Sequence, residues 1–155
     1  EGLQVTWFPS YGPEMRGGTA HCFVVISDDV IGSPVVRRPR HAIVFNNPSF
    51  DKYESLVAPG GLLLINSSLV THETKRTDMN PLRIPATDLA DQIGDLKLAN
   101  MVLMGALLTA HPVIPLHALP RALEAHGAHP EKLPLNFKAL EAGASFARKE
   151  GVTAW

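Results

Sequence analysis

Five stretches of the chain are short and apolar enough to be strands: residues 3–8 (LQVTWF), 20–27 (AHCFVVIS), 41–46 (HAIVFN), 62–65 (LLLI) and 83–86 (RIPA). β-Branched and aromatic residues fill the first three, a composition that favours extended backbone. The apolar runs are continuous rather than alternating, which is the pattern of strands covered on both faces in a parallel sheet between helical layers. Helical patterns lie between and after them. One covers roughly residues 50–57, with Asn47 or Ser49 as its cap. A second, capped by Thr87 or Asp88, runs through Ala90 and Ile93 and breaks near Gly94. Residues 96–110 are helical by propensity and apolar nearly all round, as in a helix buried in a core or against another subunit. A short helix over 119–125 ends at Gly127, and a last one from Pro134 to Gly151 sets Phe137, Leu140, Ala144 and Ala147 on one face. Strands interleaved with helices, then helices alone, make the fold class α/β with a helical C-terminal third.

The polar punctuation carries the next layer of information. Asp28 and Asp29, Asn46 and Asn47, and Asn66, Ser67 and Ser68 each follow a strand-like run. In open α/β sheets that edge is where ligands bind, although polar residues also simply end strands. Residues 28–40 wander around prolines 34 and 39. Residues 70–82 form a polar loop with His72, Lys75, Arg76 and Asp78 as loose charges. The most unusual stretch is residues 9–20, PSYGPEMRGGTA, which is a loop of defined shape by composition. Gly17 and Gly18 allow close approach of a ligand or partner, and Arg16 offers a planar cation suited to carboxylate or phosphate.

Length and charge narrow the function classes. A chain of 155 residues is expected to form a single domain, residues 1–155. Its net charge of −1 argues against a broad nucleic-acid or anionic-membrane surface. The apolar stretch near residues 96–108 is too short for a membrane span. The sole cysteine, Cys22, reads as a small buried hydrophobe, and one cysteine holds neither an iron–sulfur cluster nor a structural zinc site. With no charged-then-apolar leader, a reducing, cytoplasmic setting is expected.

No self-sufficient catalytic constellation emerges. Asp28 and Asp29 are neighbours on a strand end, so their side chains diverge. Of the seven histidines only His126 and His129 are close in sequence, and no ligand set completes them, so no metal is expected. Ser67 and Ser68 lack a nucleophile elbow. Gly17 and Gly18 precede a strand, whereas the dinucleotide fingerprint follows one. Asn100, inside the apolar helix, requires a hydrogen-bond partner wherever it is buried; it is either an anchor within the fold or a reach across to a partner chain.

Across PSYGPEMRGGTAHCFVVIS, SDDVIGSPVV, FNNPSFDKY, PGGLLLINSSL and IPATDLADQIGDLKLANMVLMGAL, about two-thirds of the chain, the sequence resembles the gamma subunit or domain of 2-oxoacid:ferredoxin oxidoreductases. The resemblance implies a three-layer α/β/α Rossmann-like domain. It also implies an assembly that decarboxylates a 2-oxoacid oxidatively to an acyl-coenzyme A and passes electrons to ferredoxin. Thiamine diphosphate would lie between alpha and beta components, with [4Fe-4S] clusters in beta or delta components and none held by this chain. Arg16, Gly17 and Gly18 would contact coenzyme A or a partner carboxylate, and Tyr11, Glu14 and Asn100 would face other subunits. The family's usual opening, a strand, a G-x-G-G-Q-G-type turn and a helix, is not found at the start and is expected to be absent or truncated. The alternative is a Rossmann-like binding or scaffold module without a catalytic partner.

Overall fold

The structure, a computed structural model, describes residues 2–10, 20–125 and 129–151. Its centre is the fully buried strand β4 (Leu62–Asn66), which lies between β3 (His41–Val44) and β5 (Asn80–Ile84) with both neighbours parallel to it. Side chains alternate across a strand, so the continuous run LLLI feeds two cores at once. Leu62 and Leu64 enter one cluster with Leu82 and Ile84, while Leu63 and Ile65 enter another with Val44, Phe50, Val57 and Val70. The expected parallel sheet between helical layers is therefore present. β5 begins three residues earlier than the pattern suggested and contains Pro81, which an edge strand tolerates because its outer side has no ladder to supply.

One face of the sheet carries α1 (Asn47–Tyr53), continued by a 3-10 turn over Glu54–Leu56. The other carries α2 (Ala86–Ile93), α3 (Ala99–Ala110) and α5 (Leu133–Lys149), with α4 (Ala118–Ala125) leaning on α5. α3 is rich in Ala, Leu and Met, all good helix formers. Its all-round apolarity resolves as burial within this chain: Val102, Leu103 and Ala106 are in the core between the sheet, α2 and α5. No described helix is long and apolar enough to cross a membrane.

α3 and α5 touch backbone to backbone. A Cβ placed on Gly105 would lie 1.9 Å from the Leu140 carbonyl oxygen, and one on Gly143 would lie 1.8 Å from that of Val102. The contact is reciprocal, each glycine receiving the other helix's main chain. Buried Ala106, Ala139, Ala144 and Ala147 widen the same flat seam.

The first two strands depart from expectation. β1 (Gln4–Ser10) and β2 (His21–Ser27) form an antiparallel hairpin separate from the parallel sheet. β2 is not covered on both sides, because the two-stranded ribbon lays only one face on the body, and its burial alternates residue by residue. Cys22 falls on the other face and is exposed, which corrects its reading as a buried hydrophobe.

Gly105→Ala and Gly143→Ala should each lower stability by about 1–3 kcal/mol or more, the usual cost of overpacking a close contact. Gly32→Ala, where a Cβ would meet nothing within 4 Å, should be nearly neutral. Urea midpoints of the three variants check this, and equal midpoints would show that the helices do not meet through these glycines.

Candidate functional site

The shaped loop leaves the hairpin at Ser10 and returns at His21, which are the last paired residues of β1 and β2. Tyr11, Glu14, Arg16, Gly17 and Gly18 lie outside the described residues. Its foot is defined. The His21 ring meets Phe23 edge-on at 5.3 Å and lies 5.4 Å from Tyr53 at the end of α1. The Lys52 ammonium stands 5.2 Å from the Tyr53 ring centre, within the range of a cation–π contact. Burial first, and the Lys52 charge second, pull the His21 pKa below its ordinary value. The His21 Nδ1 and Tyr53 hydroxyl are both buried with no hydrogen-bond partner among the described residues.

The second candidate region, the C-terminal edge of the parallel sheet, is occupied from within. Asn46, rather than Asn47 or Ser49, caps α1, its Oδ1 accepting from the Ser49 amide at 2.9 Å. Asn47 instead ties the following loop, accepting from the Thr71 amide at 2.9 Å and donating to the Thr71 hydroxyl at 3.1 Å. Asn66 is fully buried and bridges to α2, donating to the Thr87 hydroxyl at 2.9 Å and accepting from the Thr87 amide at 3.3 Å. Ser68 accepts from the Asp88 amide at 3.1 Å. Thr87 and Asp88 are thus capped rather than capping: side chains at and just after the end of β4 satisfy these amides in the first turn of α2, whose own N-cap, Pro85, has no side-chain donor or acceptor to offer. Asp28 and Asp29 stand exposed just beyond β2, which is not a strand of the parallel sheet, with the Asp29 amide bonded to the Ser27 hydroxyl at 3.0 Å.

The charges of residues 70–82 are not loose. Arg76 grips Asp78 through two bonds of 2.9 Å, and its remaining nitrogen donates to the carbonyls of Glu54 and Val57 at 2.8 and 2.9 Å. The hydrogen bonds from Arg76 hold the Asp78 carboxyl below its usual range. The Thr74 hydroxyl donates to the Glu54 carboxylate, and the Arg83 guanidinium donates to the Val70 and His72 carbonyls. His72 Nδ1 lies 2.7 Å from an Asp51 oxygen. This loop is a strap that closes the α1 side of the sheet.

No cluster of three metal-ligating side chains occurs among the described residues. His129 lies 3.7 Å from Glu131, both well exposed, and His126 is outside the described residues. His41 and His111 do meet, their rings 4.3 Å apart and nearly perpendicular. Asn100 is exposed on the first turn of α3 and its Oδ1 accepts from the next amide at 2.8 Å, so it does not anchor the core. Among the described residues no nucleophile, base and orienting group converge.

Residues 1–146 match the family described as pyruvate ferredoxin/flavodoxin oxidoreductase. The chain belongs to that family. Within it, the ketoisovalerate oxidoreductase subunit VorA of Methanothermobacter marburgensis is 34% identical over 151 residues, covering 96% of this chain but only 31% of its own length. The keto/oxoacid ferredoxin oxidoreductase gamma subunit of Geobacter sulfurreducens PCA superposes with a TM-score of 0.79 at 28% identity, covering 96% of this chain and 82% of its own. The 2-oxoglutarate:ferredoxin oxidoreductase of Magnetococcus marinus, solved with 2-oxoglutarate, coenzyme A and succinyl-CoA bound, shares the fold, with a TM-score of 0.78 at 21% identity over 96% of this chain and 26% of its own. The gamma-type resemblance carried by the loop and the later motifs is borne out.

The His41–His111 contact makes the clearest solution prediction. Burial first, then the neighbouring His111 and Arg40, lower the His41 pKa from its ordinary 6.5. The fold therefore favours the neutral ring, a contribution that is complete above the unfolded pKa and lost as pH falls through the folded one. His21 adds in the same direction. Thermal midpoints should fall between about pH 7 and pH 5, and less steeply in His41→Phe. A slope unaltered by that substitution would remove His41 as its source.

Proposed function

We propose that this chain is a non-autonomous component of a multi-subunit 2-oxoacid:ferredoxin oxidoreductase, which converts a 2-oxoacid and coenzyme A to acyl-coenzyme A and carbon dioxide and passes the electron pair to ferredoxin. The observation that carries this reading is the family match over residues 1–146, together with the gamma-subunit fold. The chemistry of the chain is consistent with it. One cysteine is too few to hold a [4Fe-4S] cluster, and the sheet edge where α/β folds bind ligands is spanned by Asn66, Ser68 and Thr87. Thiamine diphosphate and the clusters then belong to alpha, beta or delta components of a cytoplasmic assembly. The contribution of this chain is assembly and a contact to coenzyme A.

Arg16 is assigned that contact. With Gly17 and Gly18 it supplies a fork of donors beside backbone that a ligand can approach closely, suited to a coenzyme A phosphate or to a carboxylate of a partner chain. Tyr11, Glu14 and the exposed Asn100 are assigned to subunit interfaces.

Arg16→Ala, introduced into the purified assembly, should either raise the KM for coenzyme A about tenfold or weaken subunit association by a similar factor, the loss expected for a charge-assisted contact. Steady-state kinetics with varied coenzyme A, paired with size-exclusion chromatography, separates the two. Unchanged turnover and unchanged assembly would make the loop purely structural. A separate chain that oxidises a 2-oxoacid with ferredoxin unaided would overturn the division of labour.

A further inference from the structure

The outward face of the hairpin is used by nothing described so far. Pairing of Val5 with Ile26, Trp7 with Val24 and Pro9 with Cys22 places these six side chains on one face of the ribbon. Trp7 is 63% exposed, Val5 58%, Val24 53% and Ile26 37%, and Cys22 is exposed beside them. None of the six is charged. On the opposite face His21 lies against Tyr53 and Thr6, Phe23 and Val25 are half-buried, while Phe8 stays 43% exposed. β1 and β2 pair only with each other among the described residues, so both edges of the ribbon are also unpaired. A contiguous apolar face of this kind marks an interaction surface, and tryptophan is the residue most enriched at binding hot spots.

Size and the relatives point to its occupant. A seven-residue ribbon two strands wide is roughly 23 Å by 10 Å, or on the order of 230 Å². A stable interface takes about 800 Å² from each partner. Two copies joined hairpin to hairpin fall well short of that, so the occupant must spread beyond the ribbon. The same domain fills most of the Geobacter gamma subunit, 82% of its length, yet only 31% of VorA. In VorA the domain is continuous with a polypeptide about twice its size.

We propose that the outward face of the hairpin, centred on Trp7 and Val24, is the docking surface for the polypeptide that makes up the remainder of the longer relatives, whether joined to this domain or supplied as a separate chain. This rests on the reading of the chain as a component of an assembly.

The test co-expresses this chain with the counterpart of that remainder from the same genome and compares the complex with the separate chain. Cys22, the sole cysteine, reports on the face directly through its rate of alkylation by N-ethylmaleimide. Alkylation should slow at least about tenfold in the complex, and Trp7→Glu and Val24→Glu should each weaken association about tenfold or more. Because both side chains point outward, the variants should keep the wild-type thermal midpoint as separate chains; the alkylation arm needs no variant at all. Equal alkylation in complex and separate chain, with unchanged affinity of both variants, overturns the docking surface while leaving the subunit reading intact. Failure of the wild-type chains to associate sinks both. Protection of Cys22 that rises with the concentration of the separate chain assigns the face to a second copy and overturns the proposal.

Discussion

The direct contact of the α3 and α5 main chains at Gly105 and Gly143 sets the dimensions of the larger half of the molecule. Helices normally pack with axes 8–10 Å apart, the distance depending on the side chains between them. Removing the side chain at both crossing points lets α5 sink onto α3. Leu140 and Val102 then approach the opposite helix with their main-chain carbonyls. α3 in turn is pressed between α5, α2 and the sheet residues Leu62, Leu64, Leu82 and Ile84. A wider crossing would open a gap through this whole layer, and close-packed interiors tolerate such gaps poorly.

The other side of the sheet is closed by different means. Among the described residues α1 and its 3-10 extension cover it, and the strap over residues 70–78 completes the seal through hydrogen bonds. Arg76 and Arg83 direct guanidinium nitrogens at backbone carbonyls of Glu54, Val57, Val70 and His72. Irregular backbone near a core carries carbonyls that would otherwise go unpaired, and arginine can serve several at once. The apolar layer and the polar strap are two solutions to covering one strand, β4, whose side chains face both.

Much of this was legible in sequence because its signals are local. The all-apolar LLLI run, the helix formers of residues 96–110 and the face made by Leu140, Ala144 and Ala147 each fit inside one window of sequence. What escaped was long-range. No window holding Gly105 contains Gly143, and Thr87 looks like a cap until Asn66 and Ser68 are seen to cap its helix from the end of β4. The hairpin is hidden for another reason. FVVI is apolar at every position, so composition alone cannot reveal that alternate residues of the strand, Cys22 among them, face outward. The chemical reading rests on the contiguous motif PSYGPEMRGGTA, which is visible in sequence whatever its geometry. The foot of that loop, where His21 meets Tyr53, joins residues on separate elements and had no sequence signal.

The order of the elements along the chain gives the glycine crossing a kinetic meaning. α3 is synthesised before its principal cover, α5, so Val102, Leu103 and Ala106 have no lasting partner on that side while the intervening residues emerge. The hairpin, by contrast, closes from residues adjacent in sequence and can form early. A nascent chain would therefore pass through a stage with a formed ribbon, an incomplete core and an open apolar seam, the kind of surface that draws chaperones or aggregates. The flatness that makes the finished seam tight also leaves it open to any passing apolar partner until α5 arrives.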